Sequence, residues 1–312
     1  MGDQQKGVLA MACACTVWGL SPLYYKLLAH VPPLEVLSHR TLWSALFFGL
    51  VLTGQGRLHL LPHLLRGRGL PIVAFAAVMI SANWFLFIWS VQIGHTVEAS
   101  LGYYIFPLVA VLIGVLVFGE RLSRGQGLAV GLAVLAVLVL TVGLGVAPWI
   151  ALALATTFGL YGLIKKRLAA GPVVSVTAEV LVLSPLAIGW LWGVQSGAWD
   201  EFGRPGGFFG QDAATSGLLA FSGVLTAGPL ILFSYASRRV TMATLGLVQY
   251  LNPTLQFLCA TLVFAEPFTR WHAVAFLLIW LALALYSWET LRQDRAARSR
   301  VASVATSGTA AK

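Results

Sequence analysis

Apolar residues run along this chain in long blocks, without the alternation of a strand or the single stripe of a soluble amphipathic helix. GLAVGLAVLAVLVLTVGLG, from Gly127 to Gly145, carries no charge at all. A helix of about 20 apolar residues is about 30 Å long, enough to cross the hydrocarbon core of a bilayer. Ten such blocks occur, at about 7–28, 34–53, 70–93, 97–118, 125–144, 148–168, 173–194, 214–236, 241–264 and 270–289. They predict an all-α integral membrane protein with ten transmembrane helices. Residues 290–312 are polar and contain Arg, and are expected to form a disordered cytoplasmic tail.

The pattern repeats. Pro107 set on Pro253 lays PLVAVLIGVLVFGE (107–120) over PTLQFLCATLVFAE (253–266), with six identities in 14 positions. At the front of each half an offset of 140 pairs Gly19 with Gly159, Lys26 with Lys166, Pro32 with Pro172, Ser44 with Ser184 and His39 with Glu179. Two five-helix repeats are therefore expected, 1–144 and 145–289. Five is odd, so the second copy enters the membrane inverted. This 5+5 inverted-topology repeat recurs in secondary transporters, with the substrate site between the halves.

Charge supports the same layout. Only 10% of residues are charged, against about a quarter in soluble domains. With both termini cytoplasmic, 16 of the 20 Lys and Arg fall on the cytoplasmic side, which is the distribution membrane insertion favours. The net charge of +9 is spread through inter-helix clusters, so a nucleic-acid partner is not expected. Cys13, Cys15 and Cys259 lie in apolar helices with no metal or disulfide spacing. His59 and His63 stand four apart in a loop without further ligands, so no metal is expected. No phosphate-binding loop, nucleophile elbow or zincin motif occurs, so neither ATP coupling, a cofactor nor an enzyme activity is expected.

A set of motifs resembles a known family. Phe118-Gly119-Glu120 and its echo Phe264-Ala265-Glu266 are similar to the EamA family of the drug/metabolite transporter superfamily. Val31-Pro32 with Glu35 and His39-Arg40, Asn83-Trp84, Glu98 through Tyr103, and Leu245-Gly246 through Gln249-Tyr250 to Pro253-Thr254 resemble its RarD branch, whose members are often labelled chloramphenicol permeases. The chain departs from the family pattern at Phe106, where Asn is usual, and at Ala265, where Gly is usual. The resemblance implies a permease of the bacterial inner membrane for a small organic molecule. A lipid flippase or a non-transporting membrane subunit are the alternatives.

Ionisable and amide residues inside apolar helices mark candidate sites, because a charge at the helix centre costs at least about 2.5–3.5 kcal/mol. Arg40 lies roughly 9 Å into its span. Glu98 is its expected partner. His39 and Glu179 are expected at similar depths from opposite faces, and Glu98, Glu179 and His39 are candidates for proton coupling. Whether these groups bind substrate or lock helices together is open at this stage. Asn83, Trp84, Tyr103, Gln249, Tyr250 and Asn252 are candidate cavity residues, and Pro107 and Pro253 candidate kinks at matched positions. Lys26 and Lys166 are expected to snorkel. The sequence carries no signal for oligomeric state.

Overall fold

The computed structural model describes residues 2–119, 122–165, 167–168, 170–201 and 203–309, with side chains for all of these except 117, 118, 242, 243 and 293–309. Its helices are α1 (Asp3–Leu27), α2 (Pro33–Gly54), α3 (Leu61–Leu64), α4 (Gly69–Gln92), α5 (Thr96–Phe118), α6 (Arg124–Leu144), α7 (Trp149–Lys165), α8 (Pro172–Gln195), α9 (Ala213–Ser237), α10 (Met242–Gln249), α11 (Leu251–Leu258) and α12 (Arg270–Thr309). A two-residue hairpin, β1 (Asp200–Glu201) with β2 (Arg204–Pro205), interrupts the segment between α8 and α9. Among the described residues, eight helices are long and apolar enough to cross a membrane, and α7 is a shorter apolar helix. The protein is a multi-pass membrane protein. Lys166 and Glu120 lie outside the described residues, as do the side chains of the expected tail beyond Arg292.

The ninth apolar block, expected as one span over 241–264, is broken. α10 stops at Gln249, α11 starts at Leu251, and Cys259–Val263 forms a π-helical turn. Pro253 has no N–H to give the carbonyl of Gln249, which accounts for the interruption. Pro107 likewise leaves the carbonyl of Tyr103 without its helical donor, yet α5 continues through it.

Helix packing repeats between the halves. α1 packs on α9 and α11, and α7 on α4 and α5. α2 packs on α9 and α8 on α4, while α2–α8, α5–α11 and α6–α12 are pairs of like elements. Exchanging α1, α2, α4, α5 and α6 for α7, α8, α9, α10–α11 and α12 leaves this set of pairs unchanged. Small residues permit the closest approach: a Cβ on Gly19 of α1 would stand 2.6 Å from Leu255 Cβ of α11. Its counterpart Gly159 on α7 faces Ala110 and Ile113 of α5.

The two motif ends also match. Gly119 takes a left-handed conformation at φ 65°, and Ala265 takes it at φ 51°, the one positive-φ non-glycine among the described residues. After Ala265, the buried Glu266 turns its carboxylate onto the free N–H groups of Thr96 and Val97, at 2.9 and 2.8 Å, and so caps α5. The left-handed form costs an L-residue roughly 1–2 kcal/mol, partly offset by the greater chain entropy that Gly loses on folding. Ala265→Gly is expected to stabilise the protein by about 0.5–1 kcal/mol. Thermal unfolding in detergent checks this, and an unchanged or lower midpoint would count against it.

Candidate functional site

A cavity of about 780 Å³ lies at the centre of the bundle. All the long helices except α6 contribute to its wall. The wall is rich in aromatic rings, including Trp18, Tyr25, Trp84, Tyr103, Phe158 and Tyr250.

Arg40 reaches this cavity from the second turn of α2 and is 7% exposed. Its Nε donates to Thr226 Oγ1 of α9 at 2.9 Å, and its Nη1 to the Tyr25 hydroxyl of α1 at 2.8 Å. Its guanidinium lies over the Trp84 ring at 4.0 Å. The residue thus ties together four helices through neutral partners. Glu98, its expected partner, pairs instead with His95 in its own helix turn at 2.8 Å. The two sit three residues apart at the start of α5, so the local pair satisfies Glu98 and it does not reach Arg40.

Asn83 is fully engaged in holding helices together. Its amide nitrogen donates to the Leu154 carbonyl and to Thr157 of α7, and its oxygen accepts from the Tyr103 hydroxyl of α5 at 2.8 Å. Trp84, Tyr103, Gln249, Tyr250, Asn252, Pro107 and Pro253 all line the cavity. Asn252 accepts from Gln256, whose buried Oε1 has no protein donor.

His39 and Glu179 do not line the cavity, and no hydrogen bond or ion pair joins them among the described residues. Their helices pack together, but their side chains turn to different tasks. Glu179 is fully buried and takes an ion pair from Lys165 and a hydrogen bond from the Tyr161 hydroxyl at 3.0 Å. Both of these donors do line the cavity. His39 stacks on Phe209, with ring centroids 4.8 Å apart. Glu35, one turn earlier on the same face, accepts from the N–H groups of Gly207 and Phe208 at 2.9 and 2.7 Å. Nearby, Glu201 accepts from the Leu34 N–H at 2.8 Å, and Arg204 donates to the carbonyl of Ala29 at 3.0 Å. The segment 200–209 is therefore a strap bound across the α1–α2 junction. Burial pushes the Glu201 carboxyl above the usual carboxylate range, against the hydrogen bond from Leu34.

A family model described as the EamA-like transporter family matches residues 5–142. Protein RarD of Streptomyces exfoliatus is 44% identical over 306 residues, covering 97% of this chain and 95% of that protein. The chain belongs to the EamA family, in its RarD branch. Protein YojE of Bacillus subtilis, named as a transporter, is 38% identical over 95% of this chain and 98% of its own length. One solved crystal structure aligns with a TM-score of 0.59 at 19% identity, over 90% of this chain and 97% of that one, which shows a shared fold.

Within this RarD-type bundle, sequence reasoning missed Tyr25, Thr226, Tyr161 and Lys165. Lys165 sits in the cluster Lys165-Lys166-Arg167, which reads as a cytoplasmic loop. The offset of 140 did carry a signal, since it places Lys165 on Tyr25. In the structure Tyr25 holds α2 through Arg40, and Lys165 holds α8 through Glu179.

Proposed function

We propose that this RarD-type permease is a secondary transporter that moves a small organic metabolite or drug across the bacterial inner membrane by alternating access. The observation that carries the proposal is the central cavity, walled by helices from both halves of the chain and large enough for a small organic molecule. In this reading the chain crosses the membrane ten times as a 5+5 inverted repeat, with α10, α11 and the π turn as one broken span. The exchange-invariant helix pairs, the Gly19–Gly159 match and the left-handed Gly119 and Ala265 support it. Broken helices at matched positions mark the substrate site of inverted-repeat transporters. Pro107 and Pro253 hold matched positions and both line the cavity, and the helix of Pro253 is the one that breaks. The distribution of Lys and Arg supports cytoplasmic termini.

Proton coupling is assigned to Glu179, a buried carboxylate one hydrogen bond from two cavity residues. Glu98 and His39 lie off this route. The purified chain in proteoliposomes tests the proposal with a panel of labelled metabolites and antibiotics, chloramphenicol included. At least one solute is expected to move saturably, and faster when a pH gradient is imposed. A panel in which nothing moves would sink the transporter reading. Movement indifferent to the gradient would remove only the coupling.

A further inference from the structure

We propose that the cavity takes an organic anion with an aromatic body, its carboxylate held by Arg40. The inference rests on the transporter reading of the same cavity and names its substrate class.

The first observation is the isolation of Arg40. A guanidinium has five N–H donors. Two are spent on Thr226 and Tyr25, both neutral, and the other three have no acceptor among the described residues. Among the described residues, no carboxylate pairs with Arg40. Glu35, Glu201 and Glu266 are engaged with backbone N–H groups, Asp212 caps α9, Glu98 pairs with His95 and Glu179 with Lys165. An unpaired guanidinium inside an apolar bundle is costly to keep. The cost is met if the counter-ion arrives as ligand. Two parallel N–H···O bonds to one carboxylate suit the guanidinium edge left open by its partners.

The second observation is the charge of the lining. Among the described lining residues the charged ones, Arg40 and Lys165, are both cations, and none is Asp or Glu. Glu179 neutralises Lys165 from behind, without facing the cavity. An aromatic cavity can instead take a cation on a ring face. Here the Trp84 face that would do so is already covered by Arg40 at 4.0 Å. A cationic ligand would meet the like charge of Arg40, which no described carboxylate neutralises. The rings of Tyr103, Phe106 and Phe158 offer edges and faces to a flat apolar body.

The test uses the full chain in detergent and reads quenching of tryptophan fluorescence, since Trp18 and Trp84 line the cavity. The probes are benzoate, its neutral amide benzamide, and the cation benzylamine. Benzoate is expected to bind about tenfold or more tighter than benzamide, the worth of one charge-assisted contact, and benzylamine not to compete. Arg40→Ala is expected to abolish the preference for benzoate over benzamide. Arg40→Lys, which keeps the charge without the fork, is expected to retain part of it. The second variant covers the case in which the alanine chain does not fold. Equal binding of the three probes, binding of none, or an unchanged preference in Arg40→Ala would each overturn the proposal. Proteoliposome exchange separates the two readings. If benzoate binds but no solute of any charge moves, the transporter reading falls and the anion site stands. If benzamide or benzylamine moves and benzoate does not, the anion site falls and transport stands.

Discussion

Glu179→Gln is expected to destabilise the protein by about 3–5 kcal/mol, because it leaves the Lys165 ammonium buried without its counter-charge. The Glu179 carboxylate is fully buried, and the Lys165 side chain is 20% exposed. Nothing else described nearby carries negative charge to replace it. Ser175 and Tyr161 remain as neutral neighbours of the pair, and neutral groups do not repay an ion's desolvation. Removing both charges together, as Lys165→Met with Glu179→Leu, is expected to cost less than Glu179→Gln alone, since both desolvation costs then vanish. Unfolding midpoints of the three chains in one detergent check this. A double variant no more stable than Glu179→Gln would mean that the unpaired Lys165 charge is not what destabilises the chain. A stable double variant that no longer responds to a pH gradient would support the coupling role, because its loss could not be blamed on unfolding.

This pair marks where the sequence is legible and where it is not. The apolar blocks locate the helices well, because a bilayer demands about 20 apolar residues per span and permits few charges. Proline at matched positions points to the cavity for the same reason, since its missing N–H acts within one turn of its own position. The partners of Arg40 and Glu179 are different. Thr226 is 186 residues from Arg40, and both Thr226 and Tyr25 are ordinary residues in an apolar run. Only the packing of α1, α2 and α9 makes them ligands of a guanidinium. Opposite charge made Glu98 the natural partner on paper. His95, three residues away, outcompetes any long-range contact because almost no chain entropy is lost in pairing with it. The segment 203–210 is rich in Gly, which marks it as a connection between helices. That it is a strap follows only from the acids that bind its backbone.

Glu35→Ala is expected to release that strap, with a local loss on the order of 3 kcal/mol. Glu35 makes two hydrogen bonds from an ionised acceptor, each worth roughly 1.5–3 kcal/mol. Their donors, Gly207 and Phe208, have backbone N–H groups that would otherwise be buried and unpaired. Glycine suits this place, because a Cβ on Gly206 would stand 2.9 Å from the Glu35 carboxylate, and Gly207 holds φ at 84°. The bundle itself is expected to survive, because α2 keeps its packing on α8 and α9. The damage should therefore be confined to amide exchange. Gly207 and Phe208 exchange faster by a factor of about a hundred, as a loss of about 3 kcal/mol in a local opening equilibrium requires. Protease nicking within 203–210 rises in parallel. Glu201→Ala, which frees a single N–H at Leu34, is expected to show a smaller effect. If the amides of Gly207 and Phe208 exchange as slowly in Glu35→Ala as in the parent chain, the strap is held by something other than this carboxylate. In that case the stacking of Phe209 on His39, with the hydrogen bonds of Glu201 and Arg204, would be the remaining anchors.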